Sequence, residues 1–320
     1  MNISKFLFLW MLMISTLMAL SSSSMMALWL CLEINMMSFI PLMNSKSMIS
    51  TESLTLYFII QALASSIFIF SISFFLINWA FFPKMALLIS LSMLIKLGAA
   101  PFHFWFPQIS EGLPLTTFFI LITIQKFIPL HILTFMDKHI LTPFIFLSAT
   151  IGSFGGFIQF SIRKILAFSS ISHLSWMMSL IYTMSNLWLI YLSAYMALIG
   201  LILMVLSTSS INFINQVKPN SSNNCNMTLV ISFLSLGGMP PFLGFFMKWM
   251  AMKVLMIHTF PLLIPLIISS LINLYFYARI LYPLMTKLYS QNKYTFSLNF
   301  PLTMMLTFQT SLIFLMIPLI

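Results

Sequence analysis

Acidic residues are almost missing from this chain: Glu33, Glu52, Glu111 and Asp137 are the only four among 320 residues. Charged residues of both signs make up 6% of the sequence, against roughly 25% in an ordinary soluble domain. So few charges cannot keep a globule of this size in water, and a soluble fold is excluded. Cysteine is equally scarce. Cys31 sits inside an apolar run and Cys225 in a polar stretch, too few and too badly placed for a disulfide framework or a zinc site. There is no Gly-x-Gly-x-x-Gly on a strand–helix unit, no phosphate-binding glycine loop, no cysteine cluster for iron–sulfur and no histidine pair at haem-like spacing. Nucleotide, redox and metal chemistry are therefore not expected of its own residues. The 14 Lys and Arg give a net charge of +10, yet they punctuate apolar runs and only Arg163 and Lys164 are adjacent. A nucleic-acid surface gathers its basic residues on one face, so no nucleic-acid partner is expected.

What the chain does have is apolar surface, with 61% hydrophobic residues and a mean hydropathy of +1.06. A helix crosses a bilayer with about 20 apolar residues, each rising about 1.5 Å. Such runs lie near 3–20, 25–43, 53–77, 85–107, 114–135, 140–160, 165–183, 187–209, 227–250, 257–284 and 301–320. The expected fold class is an all-α polytopic membrane protein of about eleven transmembrane helices. Lys5 ahead of the first run gives it the look of a signal peptide, but no small-residue cleavage site stands out and the run reads as the first span. Orientation follows from Lys and Arg in the short loops. Lys5, Lys46, Arg163, Lys164, Lys218, Lys287 and Lys293 fall on the N-terminal side and Lys84, Lys138 and Lys253 on the other. That bias places the N-terminus on the cytoplasmic side or its mitochondrial equivalent, the matrix.

Two runs contain helix breakers in mid-span, Gly98-Ala99-Ala100-Pro101 and Gly237-Gly238-Met239-Pro240-Pro241. Backbone groups freed there cannot be satisfied by lipid, so such breaks survive only inside protein or beside water, and broken helices in matching halves point to a transport site. The breaks are 139 residues apart (237 − 98); Glu33 precedes the first by 65 and His173 the second by 64. The spacing suggests that runs two to five and seven to ten are repeats.

Charges in mid-span are the informative side chains, since each costs at least about 2.5–3.5 kcal/mol to insert. Glu33, Lys96, Lys126 and Lys248 occupy such positions. An ammonium that gains or loses a carboxylate partner changes its proton affinity, which is the physics of a proton relay. His173, among Ser169, Ser170, Ser172 and Ser175, and His103, just past the first break, extend the candidate path. Plainer readings compete: Lys248 snorkels to the interface, Lys96 and Lys126 form a structural ion pair with Glu33, and the histidines are neutral packing residues. Met and Phe are plentiful but show no cofactor-like spacing.

Lys96-Leu-Gly-Ala-Ala-Pro-Phe-His-Phe-Trp105, Gln125-Lys126, Arg163-Lys164-Ile-Leu-Ala-Phe-Ser-Ser-Ile-Ser-His173 and Ser235-Leu-Gly-Gly-Met-Pro-Pro-Phe-Leu-Gly244 with Lys248-Trp249 resemble the chain 2 family of mitochondrial NADH:ubiquinone oxidoreductase, respiratory complex I. The resemblance extends over essentially the whole chain, and the short, Met-rich form looks arthropod-like. It implies an antiporter-like domain of two inverted five-helix repeats with discontinuous helices, near 1–135 and 140–284, and a C-terminal helix near 301–320. It implies a subunit of the proton-translocating enzyme in the mitochondrial inner membrane, its N-terminus in the matrix, with Glu33, Lys96, Lys126 and Lys248 on a polar axis. NADH, FMN, iron–sulfur clusters and ubiquinone are then handled by other subunits, and this chain binds no cofactor. The partners implied are neighbouring antiporter-like chains, small accessory subunits and membrane lipids. A free-standing cation/proton antiporter and a purely structural membrane-arm subunit remain the alternatives.

Overall fold

The computed structural model describes residues 3–45, 47–77, 82–209, 212–216 and 223–291. Its helices are α1 (Ile3–Ser21), α2 (Met25–Met43), α3 (Met48–Ile77), α4 (Phe82–Leu97), α5 (Trp105–Gly112), α6 (Leu115–Ile122) and α7 (Phe127–Leu133). There follow α8 (Leu141–Ile158), α9 (Ile162–Tyr182), α10 (Leu187–Ser209), α11 (Asn223–Gly237), α12 (Leu243–His258) and α13 (Phe260–Gln291). Among the described residues there is no strand, only an isolated bridge between Ser161 and Phe213. Among the described residues, seven helical stretches are long and apolar enough to cross a membrane: Met25–Met43, Met48–Phe74, Leu115–Leu133, Lys138–Ile158, Ile162–Tyr182, Leu187–Thr208 and Phe260–Pro283. The run at 301–320 lies outside the described residues.

Three apolar runs that read as single spans are interrupted. The run at 85–107 is divided into α4 and α5, and that at 227–250 into α11 and α12, at the two Gly/Pro breaks. The third interruption is a 3-10 turn, Ile124–Lys126, between α6 and α7. Its cause lies further on, at Pro129. A proline in a helix has no N–H for the carbonyl four residues back and its ring crowds that carbonyl, which here belongs to Gln125. The Thr123 hydroxyl bonds the Phe119 carbonyl at 2.6 Å and helps close α6 just before the turn.

The chain divides into two compact units, Met1–Ser148 and Ala149–Ile320, the boundary falling inside α8. In the first, α1 packs on α2, α3 on α4 and α5, and α7 against α4. In the second, α9 is the core. Every residue from Ile165 to Ile181 is buried, and α10, α12 and α13 pack around it. A helix buried on all sides must dispose of its own polar groups. The α9 serines do so locally: Ser169, Ser170, Ser172, Ser175 and Ser179 each donate to the carbonyl three residues back, at 2.6–2.9 Å. Their donors are thus spent on the helix itself.

Candidate functional site

Helix α4 ends because Gly98 takes φ +67°, a left-handed conformation open to glycine at no steric cost. Gly98 N–H then bonds the Ile95 carbonyl at 3.1 Å and Ala99 N–H the Leu94 carbonyl at 3.0 Å. Helix α11 ends the same way. Gly238 has φ +83°, its N–H bonds the Ser235 carbonyl at 3.1 Å, and Met239 N–H bonds that of Leu234 at 3.2 Å. Each glycine is followed three residues on by a cis-proline, Pro101 and Pro241. The geometry therefore pairs Gly98 with Gly238, a register of 140 (238 − 98), one more than the sequence spacing suggested. In that register Glu33 falls on His173 (173 − 33), whereas Lys96 and Lys126 fall on Leu236 and Leu266.

In the first unit, Lys96 occupies the last turn of α4 and is 7% exposed. Half-buried Glu33, on α2, is close enough for its carboxylate to act electrostatically on that ammonium. The carbonyls beside the break are held by side chains: Trp105 Nε1 donates to Ile95 at 3.2 Å and Gln61 Nε2 to Lys96 at 3.4 Å. Lys126, 2% exposed, stands on the 3-10 turn with its ammonium 5.3 Å from the centre of the Phe106 ring. His103 lies buried in the break, Nδ1 donating to the Pro101 carbonyl at 3.2 Å.

In the second unit, Lys248 on α12 does not reach for an interface. It is 6% exposed, its ammonium donates to the Gly237 carbonyl at 2.7 Å, and its stem lies over the Gly238 α-carbon. A positive charge at a helix C-terminus is where the helix dipole favours one. Gly244, four residues before Lys248, sits directly on the Ser235 carbonyl, so α12 starts in contact with the last turn of α11. His173 shares a 2.7 Å hydrogen bond with the Tyr191 hydroxyl and packs against Tyr195. Next to it, Asn273 Nδ2 donates to the Ser172 hydroxyl at 2.6 Å, tying α13 to α9.

Each unit thus brings its own predicted residues to its own break or polar cluster: Glu33, Lys96, His103 and Lys126 in one, His173 and Lys248 in the other. Sequence reasoning missed the neutral residues around them, Asn35, Tyr57, Gln61, Tyr191 and Asn273. It also missed Arg279, which donates to the Phe157 and Gln159 carbonyls at 2.8 and 2.6 Å and so holds the chain leaving α8. Among the described residues no three His, Cys, Asp or Glu gather as metal ligands would. Chemically the arrangement gathers a carboxylate, amines and imidazoles, side chains of the kinds that proton transfer uses.

Residues 22–273 match the family model described as NADH:quinone oxidoreductase/Mrp antiporter, TM. The NADH-ubiquinone oxidoreductase chain 2 of Anopheles gambiae is 40% identical over 311 residues, 93% of this chain and 91% of that one. The chain of the same name from Rhipicephalus sanguineus is 41% identical over 278 residues, 86% of this chain and 88% of that one. Among solved structures, a chain of respiratory complex I from Thermus thermophilus shares the fold, with a TM-score of 0.82 and 21% identity over 88% of this chain and 71% of that one.

Proposed function

The chain belongs to the NADH:quinone oxidoreductase/Mrp antiporter family, and we propose that it serves as a membrane-arm subunit of the proton-pumping NADH:ubiquinone oxidoreductase of the mitochondrial inner membrane. Its task there is a proton path built from Glu33, Lys96, His103 and Lys126 in the first unit and His173 and Lys248 in the second. The observation that supports this most is the burial of three lysines, 2–7% exposed, beside breaks in helices. Taking an ammonium out of water costs several kcal/mol, which the hydrogen bond of Lys248 to the Gly237 carbonyl offsets only in part. A charge change that reaches Glu33 alters its hold on Lys96 and with it the proton affinity of that amine, so protons move when quinone is reduced elsewhere in the enzyme. In this reading the chain carries two inverted five-helix repeats within about eleven spans, one near 1–135 and one near 140–284, with the N-terminus in the matrix. The chain holds no cofactor itself and lies among other antiporter-like and accessory subunits and lipids.

The test is Lys126→Met in the assembled enzyme. Quinone reduction coupled to pumping is expected to fall by about tenfold or more while the enzyme still assembles. Coupled pumping that stays intact would remove Lys126 from the path. The second reading is a free-standing cation/proton antiporter, a class that the family's description also spans. Native electrophoresis separates the two: this chain is expected in a large band that oxidises NADH, and migration alone or as a small oligomer would favour the antiporter.

A further inference from the structure

A chain of neutral side chains in the first unit joins the parts that carry its charges. Gln125 Nε2 donates to Asn35 Oδ1 at 2.7 Å, and the Tyr57 hydroxyl donates to Gln125 Oε1 at 3.3 Å. Asn35 and Tyr57 are 2% and 1% exposed, so these bonds replace water rather than compete with it. Each of the three is tied to a different station. Asn35 lies two residues after Glu33 on α2, and Gln125 directly precedes Lys126 on the 3-10 turn. The Tyr57 ring is held edge-on by Phe39 at 5.2 Å and by Trp105 at 6.3 Å, the same Trp105 that caps α4 one residue before Lys96. One turn further along α3, on the same face, Gln61 holds the Lys96 carbonyl. None of these groups carries a charge near neutral pH, so none can store a proton. What they can do is fix where the ionisable groups stand.

We propose that Gln125, held by Asn35 and Tyr57, is a positioning residue for Lys126. The 3-10 turn has lost the ordinary helical bond at Gln125 to Pro129, and a turn freed in this way would swing the Lys126 ammonium relative to α2 and α4. The Gln125 amide replaces the lost backbone constraint with two side-chain bonds to neighbouring helices. This rests on the proton-path reading of Lys126, and the test separates the two.

The experiment uses the assembled enzyme in sealed membrane vesicles, measuring the rate of proton pumping coupled to quinone reduction for Gln125→Leu, Tyr57→Phe, the two together, and Lys126→Met. Gln125→Leu is expected to lower the pumping rate about tenfold at unchanged enzyme content, within the roughly hundredfold that a misplacement of about 1 Å can cost. Tyr57→Phe keeps the ring contacts and loses only one hydroxyl, so its drop is smaller and lies in the same direction. The double variant Gln125→Leu with Tyr57→Phe loses no more than Gln125→Leu alone, because the Tyr57 hydroxyl acts through the Gln125 amide, whereas two independent packing defects would add. Wild-type pumping in Gln125→Leu and Tyr57→Phe, with Lys126→Met inactive, overturns the positioning role and leaves the path standing. Losses that add in the double variant overturn it too. Normal pumping in Lys126→Met removes the path itself.

Discussion

Lys248 shows how one residue can be a helix cap and a charge together. Its ammonium is the donor to the Gly237 carbonyl, so Lys248→Met removes that partner while keeping most of the stem. Leaving a buried acceptor without it costs about 1–3 kcal/mol. The expected result is a lower temperature of inactivation for the assembled enzyme. Lys253→Met on the same helix is the control: Lys253 is exposed and only rests 4.2 Å over the Trp249 ring, so its loss changes stability by about 0.5 kcal/mol or less. An unchanged inactivation temperature in Lys248→Met would mean that another donor can take over the carbonyl. At this scale the sequence was readable for charges, because a bilayer makes every mid-span Lys or Glu conspicuous. Asn35, Tyr57 and Gln125 carry no such mark. Their partners stand 90 and 68 residues away, and a neutral amide or phenol within an apolar run has no periodicity that would reveal a pairing.

Among the elements, the two broken helices were legible because glycine and proline encode backbone shape directly. Only the register was out by one, since Gly237 and Gly238 are adjacent and the left-handed φ of Gly238 decides which one ends α11. The 3-10 turn was not anticipated: its signal, Pro129, lies outside the turn it causes. Substitutions rank accordingly. Gly244→Ala would drive a methyl into the Ser235 carbonyl, where backbone must move, and is expected to abolish assembly. Gly98→Ala meets Phe106 Cβ and Trp105 Cζ2 at 3.3 Å and must hold a left-handed φ, which costs about 1–2 kcal/mol. The amount of assembled enzyme on native gels should therefore be reduced for Gly98→Ala and lost for Gly244→Ala; the reverse order would refute the packing argument at α12.

For the whole molecule, the loop charges predict opposite faces for the N-terminus and the α7–α8 connection. With Cys31 and Cys225 replaced by serine, single cysteines at Lys5 and His139 should react with a membrane-impermeant thiol reagent from opposite sides, Lys5→Cys from the matrix. Labelling of both from one side would overturn the assigned orientation. The two breaks differ in one respect that matters once a membrane is energised. The cap at Ile95 is an indole, neutral at every physiological pH, and the cap at Gly237 is an ammonium. A transmembrane voltage exerts no net pull on the first, but it acts on the second with up to about 2.3 kcal/mol per elementary charge per 100 mV for full passage of the membrane. In the proposed pump the end of α11 is therefore tied to the electrical load through its cap, whereas the end of α4 feels that load only through Lys96, which it carries itself.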